Sequence, residues 1–495
     1  MRRESTEPIN WYAIDVLNIQ RLTSDSRRVR AGDTFVAYAG DSRDGREFIP
    51  QAIAAGAHTV LWEAQDFQWK NAWRAKHLAV RGLRHKIGRI ASHVYGRPSS
   101  RLWTVGVTGT NGKTSCTQWI AQAFNQLQRP CVVTGTLGNG YPDALEAGAN
   151  TTPDAAWLHG RLNDWYRGGA RVAAMEVSSH GLEQGRLAGV EFDVAMFTNL
   201  TRDHLDYHGT MANYQRAKAK LFDWDSLKWS VFNLDDRFGA ALAQKPSTAN
   251  GVGYGFSPPR ANKSVEYVQG RNLRLGLNGI QFDAITPWGA VHVKSAALGR
   301  FNASNLLGTL AVLLVSGINA RDAGQALAAL KPVPGRAQFF GGGTRPLVVV
   351  DYAHTPDALE KMLLTLRELG RDVKRTQLTC VFGCGGDRDR GKRAIMGRIA
   401  SRHADQIIVT SDNPRSEDPM AIIADIFKGV KSVKGAANVI ESRPHAVRQA
   451  IAAARRGGIV LIAGKGHEDY QEIKGVRHHY SDAAAVKFAL VRWHA

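Results

Sequence analysis

Residues 106–115 read Gly-Val-Thr-Gly-Thr-Asn-Gly-Lys-Thr-Ser and directly follow an apolar stretch. A Gly-rich turn that joins a strand to a helix is typical of loops that bind nucleotide phosphates. Gly109 and Gly112 would allow backbone N–H groups to approach phosphate oxygens. Lys113 could reach the outer phosphates, and Thr114 would offer its hydroxyl to Mg²⁺. The segment therefore predicts that the chain uses ATP.

The spacing of this loop is unusual. The common G-x-x-x-x-G-K-[ST] pattern would place a glycine at position 107, where Val107 stands. An ordinary Gly-rich turn with a surface lysine is the alternative, but the strand before the loop and the helix-like residues 116–124 after it favour a phosphate site. The predicted ATP-binding residues of the loop are Gly109, Thr110, Asn111, Gly112, Lys113, Thr114 and Ser115.

Two further segments place acidic and imidazole groups at the ends of apolar runs. Glu176 follows residues 171–175, and residues 198–208 follow the run 194–197 and include two aspartates and two histidines. In a parallel sheet these ends lie at one edge, where carboxylates can hold a phosphate-bound Mg²⁺. We therefore predict that Glu176 and His204 lie beside the metal. The alternative is that these residues only cap helices or face solvent.

A predicted helix over residues 214–222 carries two lysines, Lys218 and Lys220. Because they lie two positions apart, they face different directions on a helix, and only one of them can turn inward. The spacing does not determine which one does.

Polar loops follow several predicted strands in the last third of the chain. Their arginines could pair with carboxylates in a bidentate manner, and loops gathered at one sheet edge suit a polar, zwitterionic ligand. Each could also be a plain surface loop. The segments are 351–356, 383–393, 412–415 and 464–468.

The length of 495 residues predicts about three domains. Residues 96–100 interrupt the pattern as a linker, and residues 331–335 interrupt it again, so we place the boundaries at 1–100, 101–333 and 334–495. Helical patterns occur at residues 48–55 and 82–95, among others. The last part of the chain has predicted strands at residues 347–350, 378–382, 406–410, 439–440 and 459–463. The alternation of strands with helical stretches predicts an α/β fold with a central parallel sheet and a third, doubly wound domain.

Composition excludes several classes of protein. No apolar run is long enough to span a membrane, and the N-terminus lacks a signal-peptide pattern, so we expect a cytoplasmic protein. The four cysteines have no zinc-site spacing and are expected to be reduced thiols.

The net charge of +20 suggests a protein that binds nucleic acid, but the basic residues are dispersed and no nucleic-acid-binding motif is present. The charge is better explained by solubility and by attraction of anionic small molecules.

Nine segments, in order along nearly the whole chain, resemble the Mur ligases of peptidoglycan synthesis. Within that family the chain is most similar to members that add meso-diaminopimelate to UDP-N-acetylmuramoyl-L-alanyl-D-glutamate. The resemblance implies a UDP-sugar-binding domain, a central P-loop ATPase domain and a C-terminal Rossmann-like domain that binds the amino acid. The segments are TGTNGKTS, EVSSHGL, TNLTRDHLDYHG, GRFNASN, PGR, DYAHTPDAL, GGDRDRGKR, DNPR and GKGHE.

The resemblance also implies roles for individual residues. It implies that Lys218 is carbamylated, which would convert a cation into a carboxylate-like metal ligand. Lys113, Lys218 and His204 would be catalytic, and Thr114, Glu176, His204 and Lys218 would hold Mg²⁺. Further ATP contacts would come from Asn305, Arg336 and Asp351. The UDP-linked substrate would contact Ser24, Ser26, Asn150, Thr151, Thr152, Ser178, Gln184 and Arg186. Diaminopimelate would contact Arg388, Asp412, Asn413, Pro414, Arg415, Gly464 and Glu468.

The resemblance also places Asp41, Ser42 and Arg43 in a loop that holds the uridine nucleotide, and positions 42 and 43 depart from its more familiar His-Gln-Ala form. The implied reaction is ATP-dependent amide formation through an acyl phosphate. Arg415 would select the second carboxylate of diaminopimelate. The expected partners are these small molecules, with no nucleic acid, no membrane insertion and a monomeric state. The rival interpretations are a lysine-adding or promiscuous ligase, a folylpolyglutamate synthetase, a nucleic-acid-dependent ATPase and a nucleotide-binding regulator.

Overall fold

The computed structural model describes residues 7–40, 43–258, 265–276, 278–370, 376–431 and 436–493. In these residues three large sheets follow one another along the chain, each flanked by helices. The alternation of strands and helices confirms the predicted α/β class. None of the helices in the described ranges has the length and apolarity that a membrane span requires.

The first sheet has four parallel strands in chain order within the described residues. Its inner strand Thr34–Ala37 is buried throughout, whereas the edge strand Lys76–Val80 is mostly exposed. The helix predicted over 82–95 forms as Leu83–Val94, and the one predicted over 48–55 forms as Ile49–Ala54. The other elements of this part are strands Leu22–Thr23 and Thr59–Glu63 and helix Trp11–Val16.

The second sheet has eleven strands in the described part of the chain, and its centre is the predicted parallel sheet. Seven adjacent strands are parallel, and a pair of antiparallel strands extends each side. Strands Gly279–Thr286 and Gly289–Ser295 are joined by only two residues, a connection that permits only antiparallel pairing. In spatial order the strands are Gly289–Ser295, Gly279–Thr286, Glu266–Gly276, Asn250–Gly255, Trp229–Asn233, Val194–Phe197, Trp103–Thr108, Val172–Glu176, Cys131–Gly135, Gly138–Tyr141 and Ala144–Glu146.

Strand Trp103–Thr108 lies in the parallel part of this sheet and is buried from Thr104 onward, as expected where helices cover both faces. Helices Lys113–Gln126 and Arg300–Val315 contribute to one core cluster on one face, and their side chains are buried over most of their length. The remaining helices of this part are Ala155–Arg167, Ser179–Glu183, Leu205–His208, Met211–Ala219, Arg237–Leu242 and Ala320–Ala328.

The third sheet has six strands in the described residues, five of them parallel, and an antiparallel edge strand Gln338–Gly341. The predicted strands form as Leu347–Asp351, Leu378–Phe382, Gln406–Val409, Ala437–Val439 and Ile459–Ala463. A hairpin of Tyr470–Ile473 and Val476–His479, which sequence reasoning missed, follows the last of them. The helices are Pro356–Leu369, Gly391–His403, Pro419–Phe427, Arg443–Ala452 and Asp482–Val491.

The predicted linker at 96–100 is a packed segment. Residues Pro98–Arg101 form a short 3₁₀ turn in which Pro98 and Ser99 are buried. The hydroxyl of Ser99 accepts a hydrogen bond of 3.0 Å from the backbone N–H of Glu191. The connection therefore fixes the start of the second sheet.

Candidate active site

The predicted phosphate loop follows strand Trp103–Thr108 and precedes helix Lys113–Gln126. Gly109 and Gly112 have φ of +148° and +88°, and a Cβ on Gly112 would lie 2.6 Å from Asn305 Oδ1. A side chain would therefore strain the loop at both glycines. The unpaired N–H groups at the start of the helix lie next to the loop, so this turn can bind an anion.

Lys113 lies over this loop. Its Nζ donates hydrogen bonds to the carbonyl oxygens of Gly109, at 2.9 Å, and Thr110, at 3.0 Å. Burial lowers the pKa of Lys113. The side chain also lines the larger of two neighbouring cavities, whereas Thr114 lines the smaller one. The loop therefore forms part of the wall of both cavities.

Glu176 ends its strand beside the loop and is 1% exposed. Its Oε2 accepts hydrogen bonds from Thr114 Oγ1 at 3.0 Å and from Thr136 Oγ1 at 3.1 Å. Arg336 Nη2 donates to the same Thr114 hydroxyl at 2.9 Å. A hydroxyl and a carboxylate thus lie together at the start of the helix, and both are oxygen ligands of the kind that Mg²⁺ prefers.

The structure distinguishes the two lysines of helix Met211–Ala219 and the turn after it. Lys218 is 1% exposed, and its Nζ donates to Gly109 O at 2.7 Å, the same carbonyl that Lys113 contacts. Burial and the nearby charge of Lys113 hold the pKa of Lys218 well below its ordinary value. Lys220 instead forms an ion pair with Glu183 at 3.0 Å. Lys218 is therefore the lysine at the loop.

His204 has φ of +53°, and its Nε2 lies 3.3 Å from Asp203 Oδ2. His354, from the third sheet, approaches the same oxygen at 3.8 Å. Burial lowers the pKa of His204 to about 3, so its ring is neutral at pH 7 and free to act as a ligand. No group of three or more His, Cys, Asp or Glu side chains in the described residues could by itself hold a metal.

The smaller cavity has a volume of about 390 Å³ and lies between the second and third sheets. It brings together residues from both, including Asn305, Arg336 and Asp351. Asp351 Oδ2 accepts a hydrogen bond from Ala337 N at 2.7 Å, and burial raises the pKa of Asp351. The predicted ATP-binding residues that line this cavity are Asn111, Gly112, Thr114, Ser115, Asn305, Arg336 and Asp351.

The larger cavity, of about 690 Å³, extends along the same junction on the other side of the loop. Residues predicted for the UDP-linked substrate and for the amino acid meet there with Lys113. The predicted site residues that line it are Lys113, Asn150, Thr151, Ser178, Arg186, His204, Arg388, Asp412, Asn413, Arg415, Gly464 and Glu468.

The end of the larger cavity near the third sheet is held by a network of polar contacts. Arg415 has φ of +53°, and its Nη1 donates to Gly386 O at 2.6 Å. Asn413 Nδ2 donates to Glu468 Oε2 at 2.8 Å, and buried Lys465 donates to both side chains, at 3.0 and 2.7 Å. The network fixes these side chains before any ligand arrives, which reduces the entropy cost of binding.

Other predicted residues lie outside both cavities. Thr152 is 1% exposed, and its hydroxyl donates to Glu176 O at 2.8 Å, so it helps to hold the backbone of Glu176 in place. Ser24 and Ser26 follow strand Leu22–Thr23 of the first sheet, and Ser24 Oγ donates to Asp154 Oδ1 at 3.3 Å. Gln184 and Pro414 also do not line the cavities. Asp41 and Ser42 of the uridine loop lie outside the described residues.

Three segments of the chain match known family descriptions. They are "Mur ligase family, catalytic domain" over 18–95, "Mur ligase middle domain" over 107–313 and "Mur ligase, glutamate ligase domain" over 335–466. A relative from Chromobacterium violaceum, a UDP-N-acetylmuramoyl-L-alanyl-D-glutamate--2,6-diaminopimelate ligase, is 50% identical over 96% of this chain and 95% of its own. The chain belongs to the Mur ligase family.

Solved structures agree with this assignment. The structure of a UDP-N-acetylmuramoyl-L-alanyl-D-glutamate--2,6-diaminopimelate ligase is 38% identical, with a TM-score of 0.66 over 96% of this Mur ligase and 95% of that chain. MurF from Thermotoga maritima, in complex with ADP, has a TM-score of 0.67 over 96% and 98% of the two chains. Its identity is 19%, so it shows a shared fold alone.

Sequence reasoning missed several cavity residues of this Mur ligase. His354 and His467 line the larger cavity, and both lie in strand-end segments that were noted but not assigned a role. Asn233 and Asp235, at the end of strand Trp229–Asn233, line the smaller cavity with Phe256. The rule that ligands bind beyond the carboxyl ends of parallel strands could have found Asn233 and Asp235. Nothing in the sequence pointed to Phe256.

Proposed function

We propose that this Mur ligase adds meso-diaminopimelate to UDP-N-acetylmuramoyl-L-alanyl-D-glutamate with the energy of ATP, in peptidoglycan precursor synthesis. The observation that carries the proposal is the position of the phosphate loop, with Thr114 lining one cavity and Lys113 the other. A γ-phosphate bound at this loop, between the two cavities, can be reached by an acceptor that occupies the larger cavity. The names of the relatives supply the identity of that acceptor.

The reaction that fits this layout proceeds in two steps. A free carboxylate oxygen of the D-glutamyl residue attacks the γ-phosphorus of ATP, the bond to ADP breaks, and an acyl phosphate forms. The amino group of diaminopimelate then attacks the acyl carbon and phosphate leaves. Lys113 would stabilise the charge on the transferred phosphoryl group, and Arg336, beside Thr114, would hold the nucleotide.

The residues at the start of helix Lys113–Gln126 suit Mg²⁺. Thr114 and Glu176 would hold the ion, which would neutralise phosphate charge when bound. As an ammonium ion, Lys218 only donates hydrogen bonds and has no lone pair for a metal ion. Its lowered pKa leaves more of the nucleophilic neutral amine, which is the form that carbamylation requires, and the modified side chain could then join His204 in the set.

Arg415 would give the enzyme its choice of amino acid. Diaminopimelate has a second carboxylate where lysine has none. A guanidinium left without its carboxylate partner costs about 1–3 kcal/mol, so lysine would bind less well. Arg388, Asp412, Asn413, Gly464 and Glu468 line the same part of the cavity and would complete the amino-acid site.

We also propose that the protein acts as a cytoplasmic monomer on these small molecules, without nucleic acid or membrane insertion. ATP is available in that compartment. The four cysteines are buried and form no disulfide, which is the state that a reducing environment maintains. In this role the protein would serve cell-wall biogenesis and, through it, cell shape and division.

Phosphate release from ATP tests the proposal when the acceptor is varied. The purified protein is given UDP-N-acetylmuramoyl-L-alanyl-D-glutamate and either meso-diaminopimelate, L-lysine or a polynucleotide. We expect rapid release only with diaminopimelate. Equal rates with lysine would contradict the assigned selectivity, and stimulation by polynucleotide alone would contradict the ligase.

A further inference from the structure

Four histidines line the larger cavity, and the steps described so far assign a role to only one of them. They are His180, His204, His354 and His467. An amino acid arrives at neutral pH with its amino group as an ammonium ion, which has no lone pair. If the proposed function is correct, a group in this cavity must take a proton before the amine can attack the acyl phosphate.

His354 has a fixed orientation and a free nitrogen. Its Nδ1 lies 2.8 Å from the carbonyl oxygen of Tyr352, and because a carbonyl only accepts, Nδ1 carries the hydrogen in the neutral ring. Nε2 is therefore the nitrogen with the lone pair. The side chain is 36% exposed, so a ligand in the cavity can reach it.

Asp203 lies behind His354, with its Oδ2 3.8 Å from Nε2, and its side chain is 7% exposed. At this distance the two groups are close but not hydrogen-bonded, so the lone pair of Nε2 remains available. A carboxylic acid carries a negative charge at neutral pH. An imidazolium formed at His354 would lie next to this negative charge and be stabilised by it.

The other lining histidines are less suited to this role. Burial lowers the pKa of His180 to about 4 and that of His467 to about 3, so both resist protonation at neutral pH. His204 belongs to the proposed Mg²⁺ set. His354 is faced by the Asp203 carboxylate and by the ring of Tyr352.

We propose that His354 is a catalytic residue that accepts the proton of the incoming ammonium group, and that the Asp203 carboxylate stabilises the imidazolium that forms. The N–H bond of the ammonium breaks, and an N–H bond forms at His354 Nε2. The freed lone pair attacks the acyl carbon, the bond from carbon to the phosphate oxygen breaks, and phosphate leaves with that electron pair and the second amine proton. The imidazolium then releases its proton to solvent.

The inference can be tested with an acceptor that needs no deprotonation. Hydroxylamine is uncharged at neutral pH and traps acyl phosphates as hydroxamates. For His354→Ala and His354→Gln we expect about 100-fold or greater loss in kcat with diaminopimelate, within the usual contribution of a general base. Hydroxamate formation should stay within about threefold of wild type, because hydroxylamine needs no proton transfer to His354 before it attacks.

A rescue and a control accompany this comparison. Added imidazole should restore part of the amide synthesis to His354→Ala, because it can take the proton in place of the missing side chain. His445→Ala, an exposed histidine on helix Arg443–Ala452, is the matched control and should keep the wild-type rate with both acceptors.

Two results would overturn the inference. Equal losses with both acceptors would mean that His354 supports the fold or the first step, and an unchanged rate with diaminopimelate would mean that another group takes the proton. The wild-type reaction with diaminopimelate, run alongside, separates these results from a failure of the proposed function. In that case the wild-type protein itself would make no amide.

Discussion

Lys218 and Lys220 differ in the environment that each one meets. The buried amine of Lys218 shares the Gly109 carbonyl with Lys113, whereas Lys220 is paired with Glu183 at the surface. We expect Lys218→Ala to lower kcat by about 100-fold or more, as is usual when the electrostatic stabilisation of a transferred group is lost, here through loss of a proposed Mg²⁺ ligand. Lys220→Ala should keep nearly full activity, measured as phosphate release. Similar losses in both variants would contradict the assignment.

Arg415 should affect one substrate selectively. We expect Arg415→Ala to raise KM for diaminopimelate about 10- to 100-fold, because a hydrogen bond between charged groups contributes about 1.5–3 kcal/mol. KM for ATP should not change, since Arg415 lines only the larger cavity. Arg448→Ala, an exposed arginine on helix Arg443–Ala452, is the control for loss of charge. A parallel rise in KM for ATP would argue for a general disturbance of the fold.

At the scale of elements, Glu417 lies just before helix Pro419–Phe427 and connects it to the start of helix Gly391–His403. Its carboxylate accepts hydrogen bonds from buried Arg393 at 2.8 and 3.0 Å and from Arg390 at 2.8 Å. These hydrogen bonds, that from Arg393 first, lower the pKa of Glu417 to about 2 from 4.5. A lowered pKa means that the ionised form stabilises the fold above pH 4.5 and that this contribution is lost as the pH falls towards 2.

We therefore expect the melting temperature of the wild-type protein to fall more steeply between pH 4.5 and 2 than that of Glu417→Gln. The two proteins should differ by roughly 1–3 kcal/mol of stability at pH 7 and converge in acid. Circular dichroism melts over this pH range would measure both effects. Parallel pH profiles would show that Glu417 does not carry this dependence.

Parallel strands were predictable from the sequence where they are buried on both faces. The run that forms Leu378–Phe382 is continuously buried, and its prediction is confirmed at both ends. The antiparallel strand Gly289–Ser295 alternates exposed and buried residues and is rich in small or polar side chains, so no apolar run marked it. The hairpin of Tyr470–Ile473 and Val476–His479 is mostly exposed, and the sequence did not predict it because it also lacks an apolar run.

For the site, sequence reasoning worked best where chemistry restricts the residue type. The phosphate loop needed glycines at positive φ, and Gly109 and Gly112 have it. The helix spacing could not choose between Lys218 and Lys220, because that choice depends on the packing of a helix against the loop, and only the family resemblance pointed to Lys218. Sequence reasoning also missed Phe256, since an aromatic side chain in a cavity carries no signal of its own in the sequence.

At the scale of the whole molecule, the second and third sheets are joined by polar contacts across the site. Arg202 forms a two-point ion pair with Asp389, at 3.1 and 3.3 Å, and Asn111 Nδ2 donates to Asp357 Oδ2 at 3.2 Å. Asp389 lines the larger cavity next to Arg388. These contacts help to close the junction in which an acyl phosphate would have to be shielded from water.

We expect Arg202→Ala to loosen this closure and to let water compete with the amino acid. Released phosphate should then exceed amide product, whereas the wild-type ratio should be close to one. Both quantities can be measured in the same reaction by phosphate assay and mass spectrometry. Arg97→Ala, which breaks the ion pair with Glu191 away from this junction, should keep the wild-type ratio. A ratio of one for Arg202→Ala would show that the ion pair does not protect the intermediate.

The account as a whole depends on formation of an acyl phosphate on the D-glutamyl residue and its capture by diaminopimelate. The most direct measurement uses UDP-N-acetylmuramoyl-L-alanyl-D-glutamate labelled with ¹⁸O in its D-glutamyl carboxylates, followed by mass spectrometry of phosphate and product. We predict one ¹⁸O atom in the released phosphate and a product heavier than the labelled substrate by diaminopimelate less one H₂¹⁸O. Unlabelled phosphate, or no product of that mass, would contradict the account.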